Sequence, residues 1–157
     1  MRRLCWLRRS ALDALIADAR TWQLRETGGA LLGWSEGEEY VVDQILGPGP
    51  NAIHRWSSFE PDAEWQSRQG AAIYTASNRT VAYLGDWHTH PRASPTPSSQ
   101  DRKTARDIAD DPDFRAPEPL YAIAGRSLSD FRRRRWTLQV YACVNGRLAP
   151  VETELFI

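Results

Sequence analysis

Gly85-Asp86-Trp87-His88-Thr89-His90-Pro91 follows the apolar run Val81-Ala82-Tyr83-Leu84 and decides how the chain reads. His88 and His90 are two of only 3 histidines in the sequence. On a strand, residues at i and i+2 point to the same face, so both imidazoles converge on one point. Pro91 ends the strand, and a loop of Ser, Pro and Thr follows. A helix is predicted to begin at Ser98, which places Asp101 in its first turn. Two imidazoles from a strand end and one carboxylate from a helix start make a three-ligand set with an open fourth position. That is how a single catalytic zinc ion is held. Ser98-x-x-Asp101 is also a capping box. The two readings coexist, because a cap that orders the first turn holds the Asp ligand in place.

Working outward, 157 residues suit one domain, 1–157, with a single core. Hydrophobic residues make up 41% and charged residues 25%, the balance of a globular protein. Twenty basic and 20 acidic side chains cancel, so nothing favours binding to a phosphate backbone or a nucleic acid. Cys5 and Cys143 are far apart and form no CxxC pair, which argues against a disulfide framework and suits a reducing cytoplasm. No apolar run reaches the roughly 18 residues needed to span a bilayer, so no membrane role is expected. The N-terminus, with arginines on both sides of Leu4-Cys5-Trp6-Leu7, does not read as a signal peptide.

Leu4–Leu7 reads as a first strand, and Ser10 as the N-cap of a helix to about Trp22 with Leu12, Leu15, Ile16 and Ala19 on its apolar face. Glu26 to Trp34 reads as a Gly-opened apolar strand that forms a hairpin with Tyr40 to Leu46 across the turn Ser35–Glu38. Residues 51–59 have no clean period and read as an exposed loop in which His54 is structural. Glu60-Pro61-Asp62 opens a helix whose buried stripe is Trp65, Ala72, Ile73 and Ala76. Leu120–Ala124 and Trp136–Val144 are buried strands, and Asn145-Gly146 turns the chain into a last strand near Leu148–Glu154. Helices alternate with strands early and strands dominate late. This pattern implies an α/β (α+β) fold, a mixed sheet flanked by helices.

Zinc with three protein ligands lowers the pKa of its water to about 7. Amide hydrolysis still needs a carboxylate, beside the metal but not on it, to carry a proton to the leaving amine. Glu26 is the candidate, since it stands before Gly28-Gly29, where the backbone can run close to another strand or a substrate. Glu36, Glu38 and Glu39 compete, but a hairpin turn should point them to solvent. Ser98 is placed to donate to a developing oxyanion. Trp87 alternates away from the histidines, so packing is its default role and a substrate contact the alternative.

Glu26, His88-Thr89-His90-Pro91, Ser98 and Asp101 resemble the JAMM signature of the Mov34/MPN/PAD-1 family, in which a Glu precedes His-x-His-Pro and Ser-x-x-Asp follows the second His after seven residues. The same spacing separates His90 from Ser98. Glu26-Thr27-Gly28-Gly29-x-Leu31-Leu32-Gly33, the Gly47-Pro48-Gly49-Pro50 loop, and Phe59 with Asp62 and Gln66 extend the likeness. Tyr83-Leu84-Gly85-x-Trp87 before the histidines carries it further, toward the bacterial JAB branch, which includes deconjugating peptidases of CBASS and related ubiquitin-like antiphage operons. The likeness covers roughly residues 20 to 126. Asp86 departs from it, standing where the branch has Glu.

The resemblance implies a cytidine-deaminase-like MPN/JAB domain acting as a zinc isopeptidase that cuts after the C-terminus of a ubiquitin-like or similarly conjugated protein. By position it makes His88, His90 and Asp101 zinc ligands, Glu26 the acid/base and Ser98 the oxyanion donor. Residues 51–59 and the flank of Trp87 would then line the groove for an extended protein tail. Two rivals stand beside this reading. One is a scaffold of the MPN type, which this full ligand set disfavours. The other is a RadC-like JAB protein with a DNA-linked role, whose usual Asn between the histidines is Thr89 here. Arg132-Arg133-Arg134-Arg135 reads as a solvated run or a contact for an acidic partner.

Overall fold

The computed structural model describes residues 2–157. Strand β1 (Leu4–Arg8) runs directly into helix α1 (Arg9–Trp22). A hairpin of β2 (Gly28–Glu36) and β3 (Glu39–Leu46) follows. Two short strands, β4 (Ile53–His54) and β5 (Phe59–Glu60), form a separate antiparallel ribbon. Then come α2 (Ala63–Ala76), β6 (Ala82–His90), α3 (Ser99–Asp110), β7 (Leu120–Gly125), the short α4 (Leu128–Arg132), β8 (Thr137–Val144) and β9 (Arg147–Phe156).

The sheet is mixed, in the order β1-β3-β2-β6-β7-β8-β9, and it closes because β1 pairs in parallel with both β3 and β9. Sequence gave no hint of closure, since it joins Leu4 to Glu152 across the whole chain. Helix α1 buries Ala11 and Leu15 on one face of the sheet, against Trp87, Leu120, Ala122 and Ala124. Helices α2 and α3 cover the other: Trp65 and Ile73 pack near Ala30, Leu32 and Val81, while Ala105 packs against Tyr121 and Ile123. With both faces covered, β7 is buried at every residue, as expected of a central strand.

A bulge in β6 sets which side chains reach the α2/α3 face. The register with β2 shifts between Leu31 and Leu32, opposite Gly85, whose φ is 152°. A Cβ on Gly85 would collide with the Leu120 carbonyl. The extra residue lets Leu84 and Trp87 share the α1 face, so Asp86, His88 and His90 share the opposite one.

Several local expectations are corrected. Ser10 does not cap α1; Arg8 occupies the cap position and makes no side-chain cap bond, because β1 flows into the helix without a break. The cap of α2 is Asp62, which accepts from Trp65 N–H, while Glu60 belongs to β5. Pro61 therefore precedes the cap rather than opening the helix. Ala72 and Ala76 are exposed; of the expected stripe, Trp65 and Ile73 meet the sheet. Residues 51–59 are partly a strand ribbon, and His54 within them is only 8% exposed.

Candidate metal centre

His88 and His90 end β6, and Asp101 sits one turn into α3. The helix start is set by a reciprocal cap: Ser98 N–H donates to Asp101 Oδ2 at 2.7 Å, and Asp101 N–H donates to Ser98 Oγ at 3.1 Å. This cap aims the carboxylate at the histidines. His88 Nε2 lies 3.1 Å from Asp101 Oδ1, His90 Nε2 lies 3.2 Å from Asp101 Oδ2, and the two Nε2 atoms are 2.9 Å apart. The three side chains are between 9% and 13% exposed.

The ring orientations identify the donors. His90 Nδ1–H donates to the Ser94 carbonyl at 3.2 Å, which in the neutral ring leaves Nε2 with the lone pair. His88 Nδ1 is buried with no hydrogen-bond partner among the described residues, so Nε2 is the atom this ring offers to the cluster. Lone pairs this close repel unless a proton or a cation sits among them. A tetrahedral metal bound at roughly 2.0–2.1 Å would separate its ligands by about 3.3 Å. The observed triangle fits that size and donor chemistry.

Electrostatics agree with a cation-ready site. Burial pushes the Asp101 carboxyl up, but hydrogen bonds from His88, His90 and Ser98 outweigh it and hold it well below the usual carboxylate range. Burial favours the neutral His90 ring, yet Asp101, Ser94 and the charge of Glu26 raise its pKa above the ordinary value.

Glu26 lines the same cleft, about 660 Å³ in volume, as the three donors, Ser98 and Arg92. Gly28 pairs with His88, and continuing that register sets Glu26 opposite His90. Burial raises its pKa, offset in part by the charges of the histidines and Arg92. Gly28 matters to the cleft's shape, because a Cβ there would sit 2.5 Å from the Trp87 carbonyl and 2.9 Å from the Phe59 ring. The rival acids Glu36, Glu38 and Glu39 lie at the far tip of the β2–β3 hairpin and do not line the cleft.

Trp87 takes the packing role that alternation assigns it by default. It is 1% exposed, and its indole N–H donates to the Leu46 carbonyl at 3.0 Å. Its side chain packs in the α1-side core, on the sheet face opposite the histidines, and the residue borders the cleft only at its edge.

Three further residues surround the site without having been read as part of it in the sequence. Arg92 donates to the carbonyls of Leu24 and Trp56, each at 2.8 Å, and stacks on Trp56 at 3.6 Å. Arg126, 4% exposed, donates to Pro91 O at 3.1 Å and Gln23 O at 2.8 Å, flanked by Phe131 and Trp136. His54 donates from Nδ1 to the Glu26 carbonyl at 3.0 Å. Arg92 adjoins His90-Pro91 and so carried a positional hint; His54, read as structural, holds a backbone carbonyl; Arg126 gave no signal, because its partners are distant backbone carbonyls. The run Arg132–Arg135 is exposed.

Comparison with known proteins gives a consistent picture. Residues 8–139 match the family of prokaryotic homologs of the JAB domain. A protein of Sinorhizobium fredii named probable metalloprotease y4qB is 40% identical over 125 residues, 78% of this chain and 76% of that one. A CD-NTase/cGAS isopeptidase of Escherichia coli is 33% identical over 79 residues, 50% of this chain and 51% of that one. A namesake from Vibrio cholerae is 38% identical over 82 residues, 52% of each chain. The matched region thus spans about half the length of those two isopeptidases. The solution structure of protein DSY2949 from Desulfitobacterium hafniense superposes with a TM-score of 0.71 at 21% identity, covering 97% of this chain and 92% of that one, which shows a shared fold.

Proposed function

The chain belongs to the prokaryotic JAB-domain family, and on that premise we propose that it is a JAMM-type zinc-dependent isopeptidase, with residues 1–157 working as one JAB domain. Its substrate would be a protein joined through its C-terminus to another amine, as in ubiquitin-like conjugation. The observation that carries the reading is the triangle of His88 Nε2, His90 Nε2 and Asp101 beside Glu26 in one open cleft. The names of the relatives support hydrolysis of a protein conjugate. They also make a nucleotidyltransferase conjugate of an antiphage operon the first substrate to try.

His88, His90 and Asp101 would hold the zinc, and zinc supplies Lewis acidity that makes water a nucleophile near neutral pH. Glu26 accepts the proton of the attacking water and delivers it to the amide nitrogen as the C–N bond breaks. Its raised pKa suits both halves of that transfer. Ser98 Oγ already accepts from Asp101 N–H, which leaves its own proton to donate to the developing oxyanion. The β4–β5 ribbon walls the cleft through Phe59 and offers an edge to an extended tail. No helix of the described residues is long and apolar enough to cross a membrane. The two free cysteines suit a reaction carried out in the reducing cytoplasm.

The test is incubation of zinc-loaded protein with candidate modifiers fused or conjugated through their C-termini, with the cut position read by mass spectrometry. Cleavage directly after the modifier's last residue, abolished by a chelator and by Glu26→Ala with zinc retained, is expected. Binding of a partner by metal-stripped protein, with no cleavage of any conjugate, would replace this reading with a scaffold.

A further inference from the structure

His54 lies on the β4–β5 ribbon, 8% exposed, with its ring stacked on Trp22 at 3.3 Å between centroids and 10° between planes. Its Nδ1 lies 3.0 Å from the Glu26 carbonyl oxygen. A carbonyl only accepts, so Nδ1 carries the hydrogen. The next residue completes the grip: Glu26 N–H donates to the Arg55 carbonyl at 2.9 Å. Both backbone groups of Glu26 are therefore held by consecutive residues, His54 at the end of β4 and Arg55 in the turn that joins it to β5. The same ribbon carries Phe59, tilted against His54 at 5.3 Å, into the cleft wall.

We propose that His54 is a positioning residue that locks Glu26 to the β4–β5 ribbon, so that the acid/base carboxylate and the wall of the substrate cleft keep one fixed relation. The inference rests on the reading of Glu26 as the acid/base. Glu26 lies just ahead of β2, before its first paired residue Gly28, so its placement depends on these two anchors. Thr27, one residue on, is anchored independently by Thr89 Oγ1, which accepts its N–H at 3.0 Å. Losing His54 should therefore loosen Glu26 while leaving Thr27 and the metal ligands in place. A proton-transfer group displaced by about 1 Å can lose a hundredfold in rate.

Two substitutions separate the hydrogen bond from the packing. His54→Phe keeps a flat ring against Trp22 and removes the donor. His54→Asn loses the ring and keeps a donor near the position of Nδ1. In the zinc-loaded full chain, His54→Phe is expected to lower kcat by about tenfold or more, with KM and zinc affinity unchanged, and His54→Asn to restore most of it. Amide hydrogen exchange gives a second readout: the Glu26 amide should exchange about tenfold faster in His54→Phe, while Thr27 stays protected. Wild-type kcat and Glu26 protection in His54→Phe would overturn the proposal. So would an equal loss in both variants, or loss of zinc and Thr27 protection together, which would mark His54 as a packing residue only. If the wild-type protein cleaves no conjugate, the hydrolase reading fails alone, and the exchange measurement still decides the role of His54.

Discussion

Thr89, between the two histidines, is bonded to Thr27, which directly follows the acid/base candidate. Thr27 N–H donates to Thr89 Oγ1 at 3.0 Å, Thr89 N–H donates to Thr27 O at 3.0 Å, and Thr89 Oγ1–H reaches the same carbonyl at 3.4 Å. Both residues are fully buried. Thr27 Oγ1 then donates to Asp18 on α1 at 2.6 Å. The middle residue of His-x-His thus fixes the distance between the ligand strand and Glu26. Thr89→Val keeps shape but leaves the Thr27 N–H buried and unpaired, a cost of about 1–3 kcal/mol. Urea unfolding should show that loss, and kcat should fall more than zinc affinity does.

Glu26→Gln separates activity from stability. Loss of the proton carrier should lower kcat by about 10²–10⁴-fold with zinc retained. Burial raises the Glu26 pKa, so its ionisation opposes folding: the contribution is favourable below the ordinary carboxyl pKa and is lost as pH rises through the folded value. The neutral amide removes that loss. The variant's urea midpoint should exceed that of the wild type at about pH 8, and the difference should vanish near pH 4.

Zinc stabilisation should grow with pH. In the metal-free protein the raised His90 pKa contributes stability below about pH 6.5, lost as pH rises through the folded value. The depressed Asp101 pKa contributes above about pH 4 and is lost as pH falls through its low folded value. The metal-free pair is therefore strongest in mild acid, where protons also compete with zinc. Adding zinc should raise Tm more at about pH 8 than at about pH 5.5, and an equal rise at both would contradict proton–metal exchange at this cluster.

Trp87→Phe tests the packing role of that side chain against a substrate contact. It removes the indole donor from Leu46 O inside the α1-side core, so stability should drop by about 1–3 kcal/mol. KM should stay at the wild-type value, since the residue is 1% exposed and its indole is bonded to Leu46 O in the core. A selective rise in KM without loss of stability would restore it as a substrate contact.

What the sequence disclosed was local, and what it hid was long-range. His88, His90, Ser98 and Asp101 lie within one strand–loop–helix unit, where period and capping rules suffice to bring them together. The hairpin turn at Asn145-Gly146 was legible for the same reason, and both residues adopt positive φ, 50° and 73°. Closure by β1, the phase shift at Gly85 and the grips of His54, Arg92 and Arg126 depend on partners 28 to 148 residues away. Hydrophobic period carries no record of them. The segment 51–59 misled because its two-residue strands are too short to alternate, and its order comes from docking on Trp22 and Glu26.

Ser98 holds two roles that one variant can separate. Its hydroxyl accepts from Asp101 N–H, and its own N–H donates to Asp101 Oδ2, so Ser98→Ala removes half of a capping box, worth about 1 kcal/mol. If capping were all, weaker zinc binding would be the only defect, and saturating zinc would restore wild-type kcat. As an oxyanion donor its loss should persist at saturating zinc, lowering kcat by about 10²–10³-fold. Ser98→Thr, which keeps both the cap and the hydroxyl, should recover most of that rate. Measuring kcat against zinc concentration for the three proteins distinguishes the two, and full recovery of Ser98→Ala by zinc would confine Ser98 to the cap.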